Sequence, residues 1–362
     1  MRWPWRRQGS GEQLVVSWSG QTLAYVLARA GADGTHQVLK LGVEHQGADS
    51  TEDFVRRLQG LGLKGLEARI MLRPEQYQLL QIDAPAVPPE ELRSAARYQI
   101  REMLDTHVDD VTLDVMRVGD GQQKGAGHLF VVAATNAVVR GVLELGDAMH
   151  WTVSVIDIQE TAQRNLQSAL AGRDGRADRA NAALVLVDER QAVLTISANE
   201  ELFYTRRLEV PAGFLAESWV HGSDESAGLV KSFTPVDEYV PDYSVGGVSY
   251  GNDYSDTRTA HTASVAGGGG DDDKAQRFLV EVQRSLDLWD RSWSSMPLNG
   301  VRVYAGERSE ELSKWLGAQL GQTVLPLDVN ALFPGFEDGS LGDKALCLPL
   351  LGVVMRAESR KL

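Results

Sequence analysis

The sequence predicts an α/β protein in which one plan is used twice, with a smaller α+β unit set into the first copy. Three observations carry that prediction. Two runs of three short strands with tight turns, within residues 14–43 and 183–209, each open a stretch of alternating strand and helix patterns. Residues 84–156 read as a self-contained helix, two strands, a helix and a strand. Residues 217–275 interrupt the second copy with a Gly-, Ser-, Asp- and Tyr-rich stretch that lacks apolar periodicity.

In chain order, Leu14 to Ser17, Leu23 to Arg29 and Gln37 to Val43 are β-rich runs punctuated by Ser19-Gly20 and by the glycines at 31 and 34, which predicts a meander. Thr51 to Leu61 opens on Thr51 and Asp53 and gathers Phe54, Val55, Leu58 and Leu61 on one face, the pattern of an amphipathic helix. Ala68 to Leu72 and Tyr77 to Ile82 read as strands. A helix is expected from Pro88 to Leu104, because Glu90 and Glu91 suit a helix amino terminus and Leu92, Ala95, Ala96, Ile100, Met103 and Leu104 recur at helical spacing. Strands follow at Val111 to Val118 and His128 to Ala134, a helix at Asn136 to Met149, a strand at Thr152 to Ile156 and a helix at Gln159 to Ala171. The second copy begins with strands at Ala183 to Asp188, Ala192 to Ala198 and Glu201 to Glu209. Beyond the acidic stretch come a helix at Ala275 to Trp289, a strand at Val301 to Ala305, a helix at Ser309 to Leu320 and a strand at Thr323 to Pro326.

Composition bounds the function. The chain has 362 residues, 43% apolar and 24% charged, enough for two domains with a real core. The net charge of -14 argues against nucleic-acid binding, which needs a basic face. That charge is uneven: Glu217 to Lys274 holds eleven carboxylates against Lys231, Arg258 and Lys274. Such a stretch cannot bury enough apolar area to offset backbone entropy of about 1–2 kcal/mol per residue, so it is expected to be a disordered acidic insertion. The most apolar run, Ala345 to Met355, is interrupted by Pro349 and Gly352 and is shorter than the roughly 18 residues of a membrane span. The start, MRWPWRRQGS, has arginines with no apolar segment behind them, which argues against a secretory signal. One cysteine, Cys347, excludes an internal disulfide. The expectation is a soluble, intracellular protein.

Most catalytic chemistries find no support. The seven histidines show no paired metal spacing, and no P-loop occurs. Cys347 sits in an apolar run and reads as a buried thiol. Arg93, Arg97 and Arg101, at i, i+4 and i+8, would repel one another on an isolated helix. They either pair with Glu90, Glu91, Glu102 or Asp105, or form a docking surface for an acidic peptide or a membrane. Trp3 and Trp5 among Arg2, Arg6 and Arg7 make either a frayed terminus or a short interfacial tag.

Four segments resemble one family. LLQIDAPAVPPEELRSAARYQIREML with the following VDDVTLDV is similar to the lead into the extra subdomain of the PilM/MshI family, actin-like proteins of type IV pilus biogenesis. LFYTRRLEVP places Arg206 or Arg207 where that family has an arginine. FLVEVQRSLDLWDRS and ALCLPLLGVVMRAE resemble the family's helix after the second meander and its terminal helix. The resemblance covers about residues 14–215 and 276–358, and within the family it favours the branch of the mannose-sensitive haemagglutinin (MSHA) pilus. It implies an actin/hexokinase-like (ribonuclease H-like) duplicated fold. The implied division is a basic tail at 1–13 and a first actin-like subdomain at 14–83 and 157–180, with an inserted α+β subdomain at 84–156. A second actin-like subdomain takes 181–216 and 276–346 around the acidic loop at 217–275, and a helix over 347–362 returns to the first.

An active member of such a fold holds Mg-ATP between two Asp-x-Gly turns. Here Ser17 stands at the first aspartate position and Ser19 at its glycine, Asp188 is kept in the second turn with Arg190 in place of glycine, and Gly306 is the one glycine left of the adenosine pair. The expectation is therefore a non-catalytic scaffold with no cofactor, Ser17, Asp188 and Gly306 being a degenerate site. The alternative is an active ATPase using ATP and magnesium at those residues. A small-molecule kinase would need a phosphate loop and a catalytic aspartate, neither of which is found. The resemblance further implies a cytoplasmic protein, peripheral at the inner membrane, that binds the cytoplasmic tail of a PilN-like or MshJ-like protein and couples to the pilus motor ATPase. The tail is expected near Leu80 and Ile82 and along the helix with Arg93, Arg97 and Arg101, adding to a strand edge.

Overall fold

The computed structural model describes residues 11–31, 33–119, 127–186, 188–219 and 272–356. The first sheet begins with β1 (Glu12–Trp18), β2 (Thr22–Ala30) and β3 (His36–His45), the expected antiparallel meander. Ser50 accepts from the Asp53 amide and starts α1 (Thr51–Gly60), whose Phe54 and Leu58 are fully buried beneath that sheet. β4 (Glu67–Leu72) then runs parallel to β1.

β5 (Tyr77–Asp83) leaves this sheet and joins a second, smaller one. The helix expected over 88–104 is shorter: α2 (Leu92–Gln99) is flanked by single 3-10 turns at Pro89–Glu91 and Ile100–Glu102. Its apolar set still works, since Leu92, Ala96 and Ile100 are buried under the small sheet, but the tighter turn lifts Met103 and Leu104 to its margin. β6 (Val111–Arg117) and β7 (His128–Thr135) complete that sheet in the order β5-β7-β6.

Thr135 caps α3 (Asn136–Ala148), which packs with α1 on the first sheet through Val142 and Leu145. β8 (Thr152–Ile158) pairs parallel with β4. The inserted subdomain expected at 84–156 is thus redrawn by hydrogen bonding: β5 belongs to it, whereas α3 and β8 belong to the first half.

α4 (Gln159–Arg173) crosses to the second half, where β9 (Ala180–Leu186), β10 (Gln191–Ala198) and β11 (Glu201–Glu209) repeat the meander. α5 (Asp272–Ser292), β12 (Leu298–Tyr304), α6 (Ser309–Leu320) and β13 (Val324–Pro326) follow, and β12 runs parallel to β9 as β4 does to β1. The disordered loop expected over 217–275 lies outside the described residues at 220–271. Its edges are ordered: Trp219 is buried against Phe214 and beneath the Arg308 guanidinium, and Lys274 pairs with Glu217. Those anchors are aromatic and ionic, so an apolar periodicity search passes over them.

α7 (Leu341–Val354) returns to the first half and begins before the expected 347. It is apolar nearly all round because it is sandwiched between α4 and β1–β3. Gly352 lets it meet α4, since a Cβ there would lie 1.9 Å from the Ala162 carbonyl oxygen. Among the described residues no helix is long and apolar enough to cross a membrane. The tail of residues 1–10, with Trp3 and Trp5, lies outside them, as do 357–362.

Candidate functional site

In both halves a parallel strand ends in a hairpin turn at the same edge, the place where an α/β sheet presents backbone to a ligand. In the first turn Ser17 is buried, and its hydroxyl accepts from Arg73 Nε at 3.2 Å. Arg73 also donates to the Thr22 carbonyl at 3.2 Å. Its backbone N–H is held by Gln76 Oε1 at 2.9 Å, and the Gln76 amide reaches the Trp18 carbonyl at 2.8 Å. Burial pulls the Arg73 pKa below its ordinary value, opposed by Glu75. A guanidinium is thus bonded to the residue expected at the first metal-orienting position.

In the second turn Asp188 is exposed, and its Oδ1 accepts from the backbone N–H of Arg190 at 2.7 Å and of Gln191 at 2.8 Å. This is an Asx-type closure in which the carboxylate replaces backbone partners of its own turn. Gly306 has a φ of 59° and leads into α6, where the Ser309 hydroxyl accepts from the Ala305 N–H at 2.9 Å and donates to the Gly306 carbonyl at 2.6 Å. Gly306 lines a cavity of about 230 Å³ with Tyr304, Leu327, Lys344 and Leu348. Ser17 and Asp188 are not in its wall. The structure therefore does not gather the three expected nucleotide residues around one space, and that space is smaller than the roughly 300–1,000 Å³ of ordinary ligand pockets.

The residues expected to meet a partner divide. Leu80 and Ile82 are core, packed with Leu92, Ala96 and Ile100 between the small sheet and α2, so their side chains cannot supply a docking surface. Alternation along β5 decides this: Gln78, Leu80 and Ile82 share the α2 face, and Gln78 reaches Asp105 at 2.5 Å. Arg97 donates to the Val108 and Val111 carbonyls at 2.6 and 3.2 Å and so ties α2 to β6. Arg93 pairs with Asp114 at 2.7 Å and Arg101 with Glu102 at 3.0 Å, both as exposed pairs of little net worth. What remains open is backbone: β5 pairs with β7 on one side and has no other strand beside it among the described residues.

A site that the sequence reading missed lies where the three sheets meet. Glu160, in the first turn of α4, is fully buried; Tyr77 Oη donates to Glu160 Oε2, and Arg207 of β11 pairs with Glu160 Oε1 at 3.2 Å. The Arg207 guanidinium also donates to the Pro74 carbonyl at 2.5 Å and stacks over the Tyr77 ring, 4.7 Å from its centre. Burial, then the Glu160 charge, raises the Tyr77 pKa well above its ordinary value. Burial works to lower the Arg207 pKa, but Glu160 and Tyr77 leave it raised. Arg207 was visible only as one of two arginines, and Glu160 resembles any carboxylate of a helix start.

No known family model matches this sequence, and no curated protein matches it. Its fold is similar to the solved structure described as the PilM-PilN type IV pilus biogenesis complex, with a TM-score of 0.61 and 16% identity over 95% of this chain and 98% of that one. Weaker likenesses, too distant to argue from, are a Bacteroides thetaiotaomicron protein of actin-like ATPase fold (TM-score 0.46, 7% identity, 97% and 98% coverage) and the cytoplasmic domain of EpsL from Vibrio cholerae (0.37, 16%, 59% and 79%). With its paired meanders, crossed by α4 and α7, this chain has the actin-like fold.

Proposed function

We propose that this chain is a PilM-like component of type IV pilus biogenesis, of the MSHA type, whose work is to hold the cytoplasmic tail of a PilN-like inner-membrane protein. The observation that carries the reading is the likeness to a chain of the PilM-PilN complex, which spans nearly the whole of both chains and includes the small inserted sheet. The open edge of β5 supports it, because an extended tail can add there as a fourth strand through backbone hydrogen bonds that need no particular side chain. Held that way, the protein is peripheral at the inner face of the inner membrane, and coupling to the pilus motor ATPase follows from assembly rather than from its own chemistry.

The two turns support a scaffold without ATP hydrolysis: one holds an arginine against Ser17, and the other spends Asp188 on its own backbone. The test is co-purification of the full chain with the cytoplasmic tail of the neighbouring PilN-like protein, and fractionation of cells that lack that tail. Retention is expected with the tail, and release from membranes without it; unchanged membrane retention sinks the docking reading. The alternative is an ATPase that binds Mg-ATP at Ser17, Asp188 and Gly306, of which the Gly306 cavity includes only the last. Calorimetry with ATP and magnesium decides between them, since tight binding would replace the scaffold reading.

A further inference from the structure

The small sheet has two edge strands, β5 and β6, and their outward backbone groups are treated differently. In an antiparallel pair the N–H and C=O of one residue point to the same side, and that side alternates along the strand. The Val118 N–H donates to the His128 carbonyl at 3.0 Å, and β6 and β7 keep one register, so Thr112, Asp114 and Met116 turn their backbone groups to β7. Val111, Leu113, Val115 and Arg117 turn theirs outward. Across the sheet the Ala84 N–H donates to the Gly127 carbonyl at 2.7 Å, which by the same count leaves Leu79 and Gln81 of β5 facing outward.

Among the described residues no side chain bonds the outward groups of Leu79 and Gln81. On β6, Arg97 Nη2 donates to the Val111 carbonyl at 3.2 Å, and Asp114 Oδ1 accepts from the Val115 N–H at 3.0 Å. Arg93 Nη2 holds the same Oδ1 at 2.7 Å. The path of that ion pair is informative. Val111, Leu113 and Val115 are buried on the α2 face, and alternation places Asp114 on the opposite one. Since β7 closes one side of β6, Arg93 meets Asp114 around the outer edge of the strand.

The two groups covered are the two that self-pairing would join. A second copy's β6, run antiparallel about a two-fold axis at Leu113, would set Val111 opposite Val115 and Thr112 opposite Asp114, with no like charges facing. Its bonds would include one from the Val115 N–H of each copy to the Val111 carbonyl of the other. In this structure Asp114 takes that donor and Arg97 takes that acceptor. We propose that Arg93, Arg97 and Asp114 are an edge guard, which bars β6 from adding to β6 of a second copy and leaves β5 as the open edge of the small sheet. The exposed Arg93–Asp114 pair, of little worth to stability, acts on association instead.

The test is amide hydrogen exchange on the full chain at rising protein concentration, with the mass followed by sedimentation. In the parent, exchange at Leu113 and Val115 should not depend on concentration. In Asp114→Ala combined with Arg97→Met, which keeps an aliphatic stem at position 97, both amides should slow by about tenfold or more as the protein is concentrated, and the mass should double. Asp114→Ala alone, at an exposed position, should show the same change to a smaller degree. Asp114→Asn should behave as the parent, because its amide oxygen still accepts from the Val115 N–H. Concentration-dependent slowing at Leu113 in the parent, its absence from the double variant, or equal slowing in Asp114→Asn and Asp114→Ala overturns the guard. Slowing confined to Leu79 and Gln81 overturns it as well.

Discussion

The two hairpin turns have the same topology, yet their side chains are used in different ways. The first is filled: Ser17 is buried, and a side chain from beyond β4, Arg73, reaches 56 positions back to bond it. The second is self-contained, because Asp188 keeps its carboxylate but uses it on amides two and three residues away. A retained residue is thus not a retained site. The first half is where other parts of the chain converge, through Arg73 and through Glu160 with its partners Arg207 and Tyr77, while Asp188 serves its own turn.

The comparison predicts a ranking of stabilities. Arg207→Ala should cost most, about 3–5 kcal/mol, because it leaves the Glu160 charge buried without its cation. Adding Glu160→Gln to it should recover part of that loss. Denaturant midpoints measure both, and an Arg207→Ala protein no weaker than an Asp188→Ala protein would remove the contrast between the halves. Arg73→Ala should cost about 1–3 kcal/mol, since the buried Ser17 hydroxyl loses its donor. Asp188→Ala should cost about 1 kcal/mol, two exposed amides losing one acceptor to water. A larger loss at Asp188 than at Arg73 reverses the ranking.

The smallest expected effect is alkaline. Burial pushes Cys347 from 9.0 up to about 12, and Tyr25 and Tyr304 from 10.0 up to about 12. Groups whose folded pKa is raised bind protons more tightly in the folded chain, so their contribution is complete below pH 9 and fades as the pH climbs to 12. Melting temperature should be flat from pH 7 to 9 and fall above it. Cys347 contacts the Tyr25 and Gly42 carbonyls at 3.5 and 3.6 Å, so the loss should begin in the first half. Hydrogen exchange that loosens β9–β11 before β1–β3 would contradict that order.

Much of the architecture was legible because it is written in local patterns. Alternation and turn residues located both meanders to within a few residues, and the helix starts read at Thr51, Asn136 and Ser309 are kept in the structure. The errors fell where spacing is ambiguous. Met103 and Leu104 continue a helical spacing from Ile100, but a 3-10 turn meets the same residues with less depth. Leu80 and Ile82 read as docking residues because a strand pattern says which residues share a face but not which face is covered. Trp219 and Lys274 looked like part of an acidic stretch because Arg308 lies beyond it and Glu217 meets Lys274 only when the two ends of the stretch are brought together by folding.

By itself, the sequence determined most of the elements and the repetition of the meander, since each is a matter of neighbouring residues and short-range periodicity. Only the tertiary structure decided sheet membership for β5 and β8 and the Glu160 junction. Those depend on which partners arrive from 20 to 130 positions away to share a buried carboxylate or an open edge, and burial of that kind has no local signature.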